Sequence, residues 1–176
     1  DTPRGIKLFI QRVFIMDDAA HFLPLYLRFV KGVVDSSDLP LNVSREILQD
    51  HPLVDSIKKG LSKRFLDTLK KMQNDKPEEY KNFWQEFGLV IKEGPAEDYE
   101  NSESIAELFL FSSSASDENS PNTTLDQYIE RMSGDSDKIY FSIADTFEAA
   151  ANSPHIENLK ANGTEVLLLT DRIDEW

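Results

Sequence analysis

The last fifth of the chain carries the pattern that most restricts the fold. Ile139–Ala144 and Glu165–Thr170 are both predicted strands, and residues 146–161 between them have helical spacing, interrupted at Ser153-Pro154 and ended by Gly163. Two strands joined by a helix form the unit of a parallel sheet, and this crossover is right-handed in nearly all known cases. The sequence therefore predicts an α/β fold.

The first fifty residues predict part of a second, larger α/β unit. Residues 5–15 are rich in β-branched and aromatic side chains and predict one strand, while residues 17–32 place apolar side chains at helical spacing up to Gly32. Residues 35–44 are predicted to form a loop. One strand and one helix cannot close a sheet, so we expect the partner strands to lie upstream of Asp1.

Residues 45–111 predict mainly helices. Ser44 is a suitable N-cap for a short helix over residues 45–49, Pro52 and Pro77 each open a longer helix, and Asn101-Ser102 precedes a third. The helix after Pro52 carries one apolar stripe, formed by Val54, Ile57, Leu61, Phe65, Leu69 and Met72. Residues 112–123 are almost wholly polar and predict a mobile linker, and Thr124–Gln127 reads as a capping box.

These patterns divide the chain into four parts. We expect residues 1–50 to be the C-terminal part of a large subdomain with a functional loop, and residues 51–111 to be a helical connector. Residues 112–124 are then a flexible polar linker, and residues 125–176 a small three-layer α/β/α subdomain with parallel strands. The chain begins without methionine and has no signal peptide and no run near the ~20 apolar residues of a membrane span. We expect a piece of a longer cytoplasmic protein with no membrane partner.

Cysteine content and charge exclude several classes of function. The chain has no cysteine, which excludes disulfide scaffolds, zinc ribbons and thiol nucleophiles. Residues 1–93 carry a net charge of +1 and residues 94–176 a net charge of −14. The C-terminal half repels phosphate, so a nucleic-acid partner is not expected. A solvated acidic surface accounts for the charge without a partner.

The common catalytic signatures are absent from the sequence. No two glycines have the spacing of a phosphate-binding loop, and no serine lies in a Gly-x-Ser-x-Gly turn. The three histidines, His21, His51 and His155, are far apart, and we interpret each as a surface or capping residue rather than a metal ligand. A self-contained enzyme is therefore not expected.

One segment, Asp38–Gln49, carries a candidate anion site. If Ser44 caps a helix, Arg45 lies in its first turn, where a guanidinium and free backbone N–H groups suit a terminal phosphate. Gln49 lies four residues on and shares the face of Arg45. A simpler interpretation is that Arg45 pairs with Glu46 or Asp50, and the spacing alone does not decide between the two.

Several blocks of the sequence resemble one known family. Ile10–Asp18, Asp35–Gln49, Phe83–Lys92 and Leu167–Trp176 are similar to the middle domain of the ninety-kilodalton heat-shock chaperones, and Gly94–Asp98 is typical of the bacterial type. The resemblance covers the chain in register apart from the Ser112–Asn122 linker. It implies a fragment of an ATP-driven, homodimeric clamp that remodels client proteins. An N-terminal domain would hold ATP with Mg²⁺, and a C-terminal domain would dimerise.

The resemblance also implies roles for individual residues. Arg45 matches the catalytic-loop arginine that contacts the γ-phosphate of ATP in the closed full-length protein, and Gln49 matches its companion. Asn42 and Ser44 match positions that shape the loop. The general base and the nucleotide pocket belong to the N-terminal domain, so we expect this chain alone to bind no ATP and no metal, and to hydrolyse nothing.

Client contact is expected at the end of the chain. The resemblance implies that Trp176, with Glu175 beside it, lies on an amphipathic surface that contacts clients, although packing at a domain junction explains Trp176 equally well. Trp84 and Phe87 lie on one face of a predicted helix and are expected to be core residues.

Two other functions remain open at this stage. The sequence is also compatible with a passive protein-interaction module that takes no part in ATP hydrolysis. A third interpretation is a fragment of an unrelated α/β enzyme whose site lies upstream. The ATPase rate of the full chain with and without an Arg45 substitution separates the passive module from the chaperone. The sequence upstream of Asp1 would decide on the unrelated enzyme, since a glutamate-bearing nucleotide domain there supports the chaperone.

Overall fold

The computed structural model describes residues 5–17, 22–41, 51–116, 119–132 and 137–175. Within this part of the chain, two small three-stranded sheets are separated along the sequence by a group of helices. The mixed α/β class that the strand–helix–strand pattern predicted is confirmed.

The first sheet contains three strands: β1 (Ile6–Ile10), β2 (Val13–Met16) and β3 (Gly32–Ser36). Their order is β2-β1-β3, with β2 antiparallel and β3 parallel to β1. The prediction of one strand over residues 5–15 was wrong, because the chain reverses at Gln11 and Arg12. Both neighbours of β1 lie within this chain rather than upstream. These two residues have positive φ angles of 49° and 67°, a conformation that usually calls for glycine or asparagine, so the turn gave no sequence signal.

The helix predicted over residues 17–32 is also wrong within the described residues. Between Phe22 and β3 the regular element is a 3₁₀ turn at Leu25–Leu27, and Gly32 begins β3. The backbone N–H groups of Leu25 and Tyr26 donate to the Glu97 carboxylate at 2.6 and 2.9 Å. A distant side chain thus satisfies the first backbone donors of this turn, which no helix could satisfy within itself.

The helical middle part follows the predictions more closely. It consists of α1 (Pro52–Asp75), α2 (Pro77–Ile91) and the short helices α3 (Gly94–Glu97) and α4 (Ser102–Ala106). A proline at the first turn opens α1 and α2 as predicted, since its missing N–H would be unpaired there in any case. Trp84 is 5% exposed and belongs to the core between these helices, as expected, and the Phe87 ring stacks on Phe29 at 4.4 Å.

The second sheet contains β4 (Ser112–Ser113), β5 (Phe141–Ile143) and β6 (Leu167–Leu169) in the order β4-β6-β5. Strands β5 and β6 are parallel, as the sequence predicted, and β4 is antiparallel to β6. The helices of this region are α5 (Leu125–Arg131), α6 (Phe147–Ala151) and α7 (Pro154–Ala161). The capping box at Thr124 and the end of the last helix near Gly163, where φ is +75°, are confirmed.

The described part of the predicted linker is packed against this sheet. Ser112 and Ser113 form β4 and are 7% and 1% exposed, which the expectation of a mobile polar segment did not anticipate. Hydrogen bonds replace apolar burial here: the Ser113 hydroxyl bonds to Glu165, and the Ser114 Oγ accepts from the Val166 N–H at 2.9 Å. The division of the chain into four domains stays a prediction.

Candidate functional site

The residues predicted to serve the γ-phosphate lie outside the described part of the chain. Asn42, Ser44, Arg45 and Gln49 all fall within residues 42–50. Their roles remain predictions, and the structure bears on them only through the two ends of this segment.

Both ends of residues 42–50 are held by one apolar core. Leu39, before the segment, is 1% exposed, and Val54, after it, is 2% exposed. They belong to a single cluster whose other buried members are Leu8, Ile10 and Phe22. The chain on both sides of residues 42–50 is therefore anchored in the same small core.

Local hydrogen bonds fix the backbone just before and just after residues 42–50. The Ser36 Oγ, at the end of β3, accepts from the N–H groups of Asp38 and Leu39, both at 3.3 Å. On the other side, His51 is the N-cap of α1, and its Nδ1 accepts from the Leu53 N–H at 3.2 Å. The capping interpretation of His51 is confirmed.

A second candidate site lies where the helical middle part meets the second sheet. An open groove of about 1090 Å³ separates them, and its apolar lining consists of Pro95, Ala96, Ala106, Phe109, Phe111, Leu169 and Ile173. Glu175 lines the same groove from the 3₁₀ helix Arg172–Glu175 and is exposed. Of the two residues predicted to contact clients, the structure thus places Glu175 beside an apolar surface, and Trp176 lies outside the described residues.

The apolar surface continues from the groove onto β5. Phe141 and Ile143 are 59% and 42% exposed, and they pair in register with Leu167 and Leu169 of β6. Paired residues of neighbouring strands share one face of a sheet, so both side chains lie on the face of Leu169, which lines the groove. The sequence does not indicate this surface, because alternation in so short a strand does not show which face is covered.

Lys92 is a further residue that the sequence analysis did not single out. Its ammonium lies between the carboxylates of Asp171 and Asp174 at the floor of this junction. No local pattern could have identified the contact, since the partners are 79 and 82 residues away in sequence.

Other kinds of site are not found in the described residues. No group of three or more His, Asp or Glu side chains there is arranged to hold a metal ion. His155 is exposed on α7, in agreement with its interpretation as a surface residue, and His21 lies outside the described residues. Among the helices that the structure describes, none combines the length and apolar character needed to cross a membrane.

The chain is similar to known proteins over its whole length. The family model described as Hsp90 protein matches residues 1–176. The chaperone protein HtpG of Colwellia psychrerythraea is 59% identical over 176 residues, and that of Shewanella frigidimarina 57% identical. The match covers all of this chain but 27% and 28% of those proteins, so the chain spans just over a quarter of the length of these relatives.

A solved structure agrees with the sequence comparison. The middle domain of a Plasmodium falciparum heat shock protein superposes with a TM-score of 0.84 at 33% identity, covering 99% of this chain and 66% of that one. The fold is therefore that of a heat-shock chaperone middle domain. The chain belongs to the Hsp90 family, as the resemblance of its sequence blocks predicted.

Proposed function

We propose that this chain is the middle segment of a bacterial, ATP-dependent chaperone of the HtpG type. The observation that carries the proposal is the identity of 59% and 57%, over the whole chain, to proteins named as chaperones. In the full-length protein an N-terminal domain binds ATP with Mg²⁺, a C-terminal domain forms the homodimer, and the whole works on client proteins in the cytoplasm. No nucleic acid or membrane takes part.

In this proposal Arg45 completes the ATPase site of the N-terminal domain. ATP supplies the phosphoanhydride bond that is cleaved, and the Arg45 guanidinium offers a positive charge and paired N–H donors to its γ-phosphate. Gln49 is its companion, and Asn42 and Ser44 shape the loop. The placement of Leu39 and Val54 in one core supports this role, because anchoring the chain on both sides of residues 42–50 reduces the entropy lost when Arg45 is positioned.

The first prediction concerns Arg45 in the full-length protein. Arg45→Ala should lower kcat for ATP hydrolysis, by analogy with arginine fingers worth about 10³–10⁵, or by less if the loop docks only briefly. KM for ATP should barely change, because the contact is made mainly in the closed state. Steady-state ATPase assays measure both constants, with Arg64→Ala, an exposed arginine of α1, as the control.

Two results would contradict this role. A raised KM with an unchanged kcat would make Arg45 a ground-state binding residue. Unchanged kcat and KM would favour the passive interaction module instead. In the Arg64→Ala control both constants should equal those of the wild type.

We also propose that Trp176 and Glu175 contact clients. The apolar groove beside Glu175 and the exposed Phe141 and Ile143 support this assignment, since unfolded polypeptides offer the apolar side chains that such a surface would bury. Aromatic residues suit client contact because they bury much area at a small cost in entropy.

The second prediction separates the two tryptophans. Trp176→Arg and Glu175→Ala in the full-length protein should each weaken client binding while the melting temperature stays nearly unchanged. Trp84→Ala should first lower stability, by about 3–5 kcal/mol, because its buried ring leaves a cavity. A client-binding titration beside a thermal melt tests each variant. Tyr99→Arg, at an aromatic residue that is 87% exposed elsewhere on the surface, is the control.

If Trp176→Arg unfolds the protein, Trp176 is a junction residue. If Trp176→Arg and Glu175→Ala both leave client affinity intact, the client surface lies elsewhere. A loss of affinity in Tyr99→Arg as large as in Trp176→Arg would show a general effect of surface charge.

A further inference from the structure

Lys92 links the 3₁₀ helix that carries Glu175 to the helical middle part. Lys92 is the C-cap residue of α2, and its side chain is 7% exposed. Its Nζ lies 2.8 Å from Asp171 Oδ2 and 2.6 Å from Asp174 Oδ1. The Asp174 side chain is also 7% exposed, so this pair is shielded from water, while the Asp171 side chain is 44% exposed.

The two aspartates are tied to each other as well as to the lysine. The Asp171 N–H donates to Asp174 Oδ2 at 3.0 Å, and the Asp174 N–H donates to the Asp171 carbonyl at 2.9 Å. The turn at the start of Arg172–Glu175 is therefore closed, with both carboxylates directed at the ammonium. Two carboxylates so close together repel each other unless a cation lies between them.

The lysine therefore determines where this short helix lies. Its charge is out of water and satisfied by these two partners, and a buried charge without partners is strongly unfavourable. Any shift of the helix that separated Asp174 from Lys92 would leave the buried Asp174 carboxylate without a cation. A four-residue 3₁₀ helix has few hydrogen bonds of its own with which to resist such a shift.

We infer that Lys92 is a positioning residue of the client-binding site. Its side chain is only 7% exposed, so it acts mainly by holding the helix Arg172–Glu175, and with it Glu175 and the groove wall formed by Ile173. This inference rests on the proposed client function and adds a residue through which the geometry of that site is maintained.

The test uses Lys92→Met in the full-length protein, which keeps the length of the side chain and removes its charge. Kd for a client should rise between about twofold and thirtyfold, the range for residues that act on a site through other residues. Hydrogen exchange of the amides at residues 171–175 should become faster, while exchange in α1 and β1 stays unchanged. Lys59→Met is the matched control, because Lys59 pairs with Glu100 at the surface, with side chains 69% and 73% exposed.

Two further variants keep the inference testable if Lys92→Met folds poorly. Lys92→Arg retains the charge and should recover most of the client affinity. Asp171→Asn removes the more exposed partner and should produce a smaller change of the same kind in both measurements. If Lys92 only stabilised the fold, Lys92→Met would lower the melting temperature and speed exchange throughout the helices, without a selective effect at residues 171–175.

Client binding by three variants distinguishes a failure of this inference from a failure of the proposed client function. If Trp176→Arg and Glu175→Ala weaken client binding but Lys92→Met does not, the inference is overturned and the proposed function stands. If none of the three variants affects client binding, both fail. Faster exchange confined to residues 171–175, with a raised Kd that Lys92→Arg restores, supports the inference.

Discussion

At position 88, in α2, the packing of a neighbouring side chain explains the glycine, although helix propensity disfavours it. A Cβ atom at this position would lie 2.7–2.9 Å from three atoms of the Trp84 indole. Glycine therefore allows the ring to lie across the helix backbone and remain 5% exposed in the core. Glycine inside a helix costs conformational free energy, and the packing of Trp84 offsets that cost here.

A third prediction follows from this contact. Alanine is favoured over glycine by about 1 kcal/mol in a helix, but forcing a methyl group against a packed ring costs about 1–3 kcal/mol. Gly88→Ala should therefore lower the free energy of unfolding. Gly60→Ala, in α1, should raise it by up to about 1 kcal/mol, because nothing lies within 4 Å of its added Cβ. Urea denaturation of both variants measures the difference, and equal stabilisation by both would refute the clash.

At the scale of elements, Glu165 joins three parts of the second sheet region. Its carboxylate accepts two hydrogen bonds from Arg131 of α5, at 2.9 and 2.7 Å, and bonds to the Ser113 hydroxyl of β4. Partial burial alone raises the pKa of Glu165, but the hydrogen bonds from Arg131 and Ser113 and the charge of Arg131 outweigh it. The pKa of Glu165 therefore lies below its usual value of 4.5.

The fourth prediction is the pH dependence of this link. A carboxylate whose pKa is lowered on folding stabilises the folded state above its unfolded pKa, and this contribution is lost as the pH falls through the folded pKa. Glu165→Gln should lower the melting temperature at neutral pH, and its difference from the wild type should shrink in the acid range below about 4.5. Thermal melts at several pH values test this. A difference that stays constant with pH would mean that the carboxylate charge does not contribute.

At the scale of the whole molecule, the described part of the chain lacks the features of a nucleotide site of its own. The described helices of eight or more residues each begin with proline rather than with the glycine-rich turn that would cradle a phosphate. The charge is also unfavourable for binding a phosphate, with a net of −14 over residues 94–176. In our proposal the nucleotide is held by another domain, and this chain contributes the loop that contains Arg45.

The fifth prediction is that residues 1–176 alone bind no ATP at micromolar concentration. A single arginine in water gains too little from a phosphate to hold a nucleotide, since ion pairs in water contribute about 0–1 kcal/mol. Calorimetric titration of this fragment should show no heat of binding, whereas the full-length protein, titrated in parallel as the control, should. Micromolar binding to the fragment would mean that it contains a nucleotide site of its own.

Local patterns in the sequence determined most of the helices and one of the strand pairings. Pro52, Pro77 and the Thr124 capping box act within one or two turns of chain, so the helix starts follow from neighbouring residues alone. The family also followed from the sequence, because blocks such as Asp35–Gln49 are specific enough to identify it. The roles of Arg45 and Gln49 are inferred from the same block.

Tertiary structure alone decided the features that depend on distant partners. The hairpin at Gln11 and Arg12 is stabilised by the pairing of β1 with β3, and the Leu25–Leu27 turn by Glu97, some 70 residues away. The burial of Ser113 against Glu165 and the contact of Lys92 with Asp174 also join residues far apart in sequence. A charged or polar residue gives the same local signal whether it ends in water or in a buried pair, because its partner is chosen only when the chain has folded.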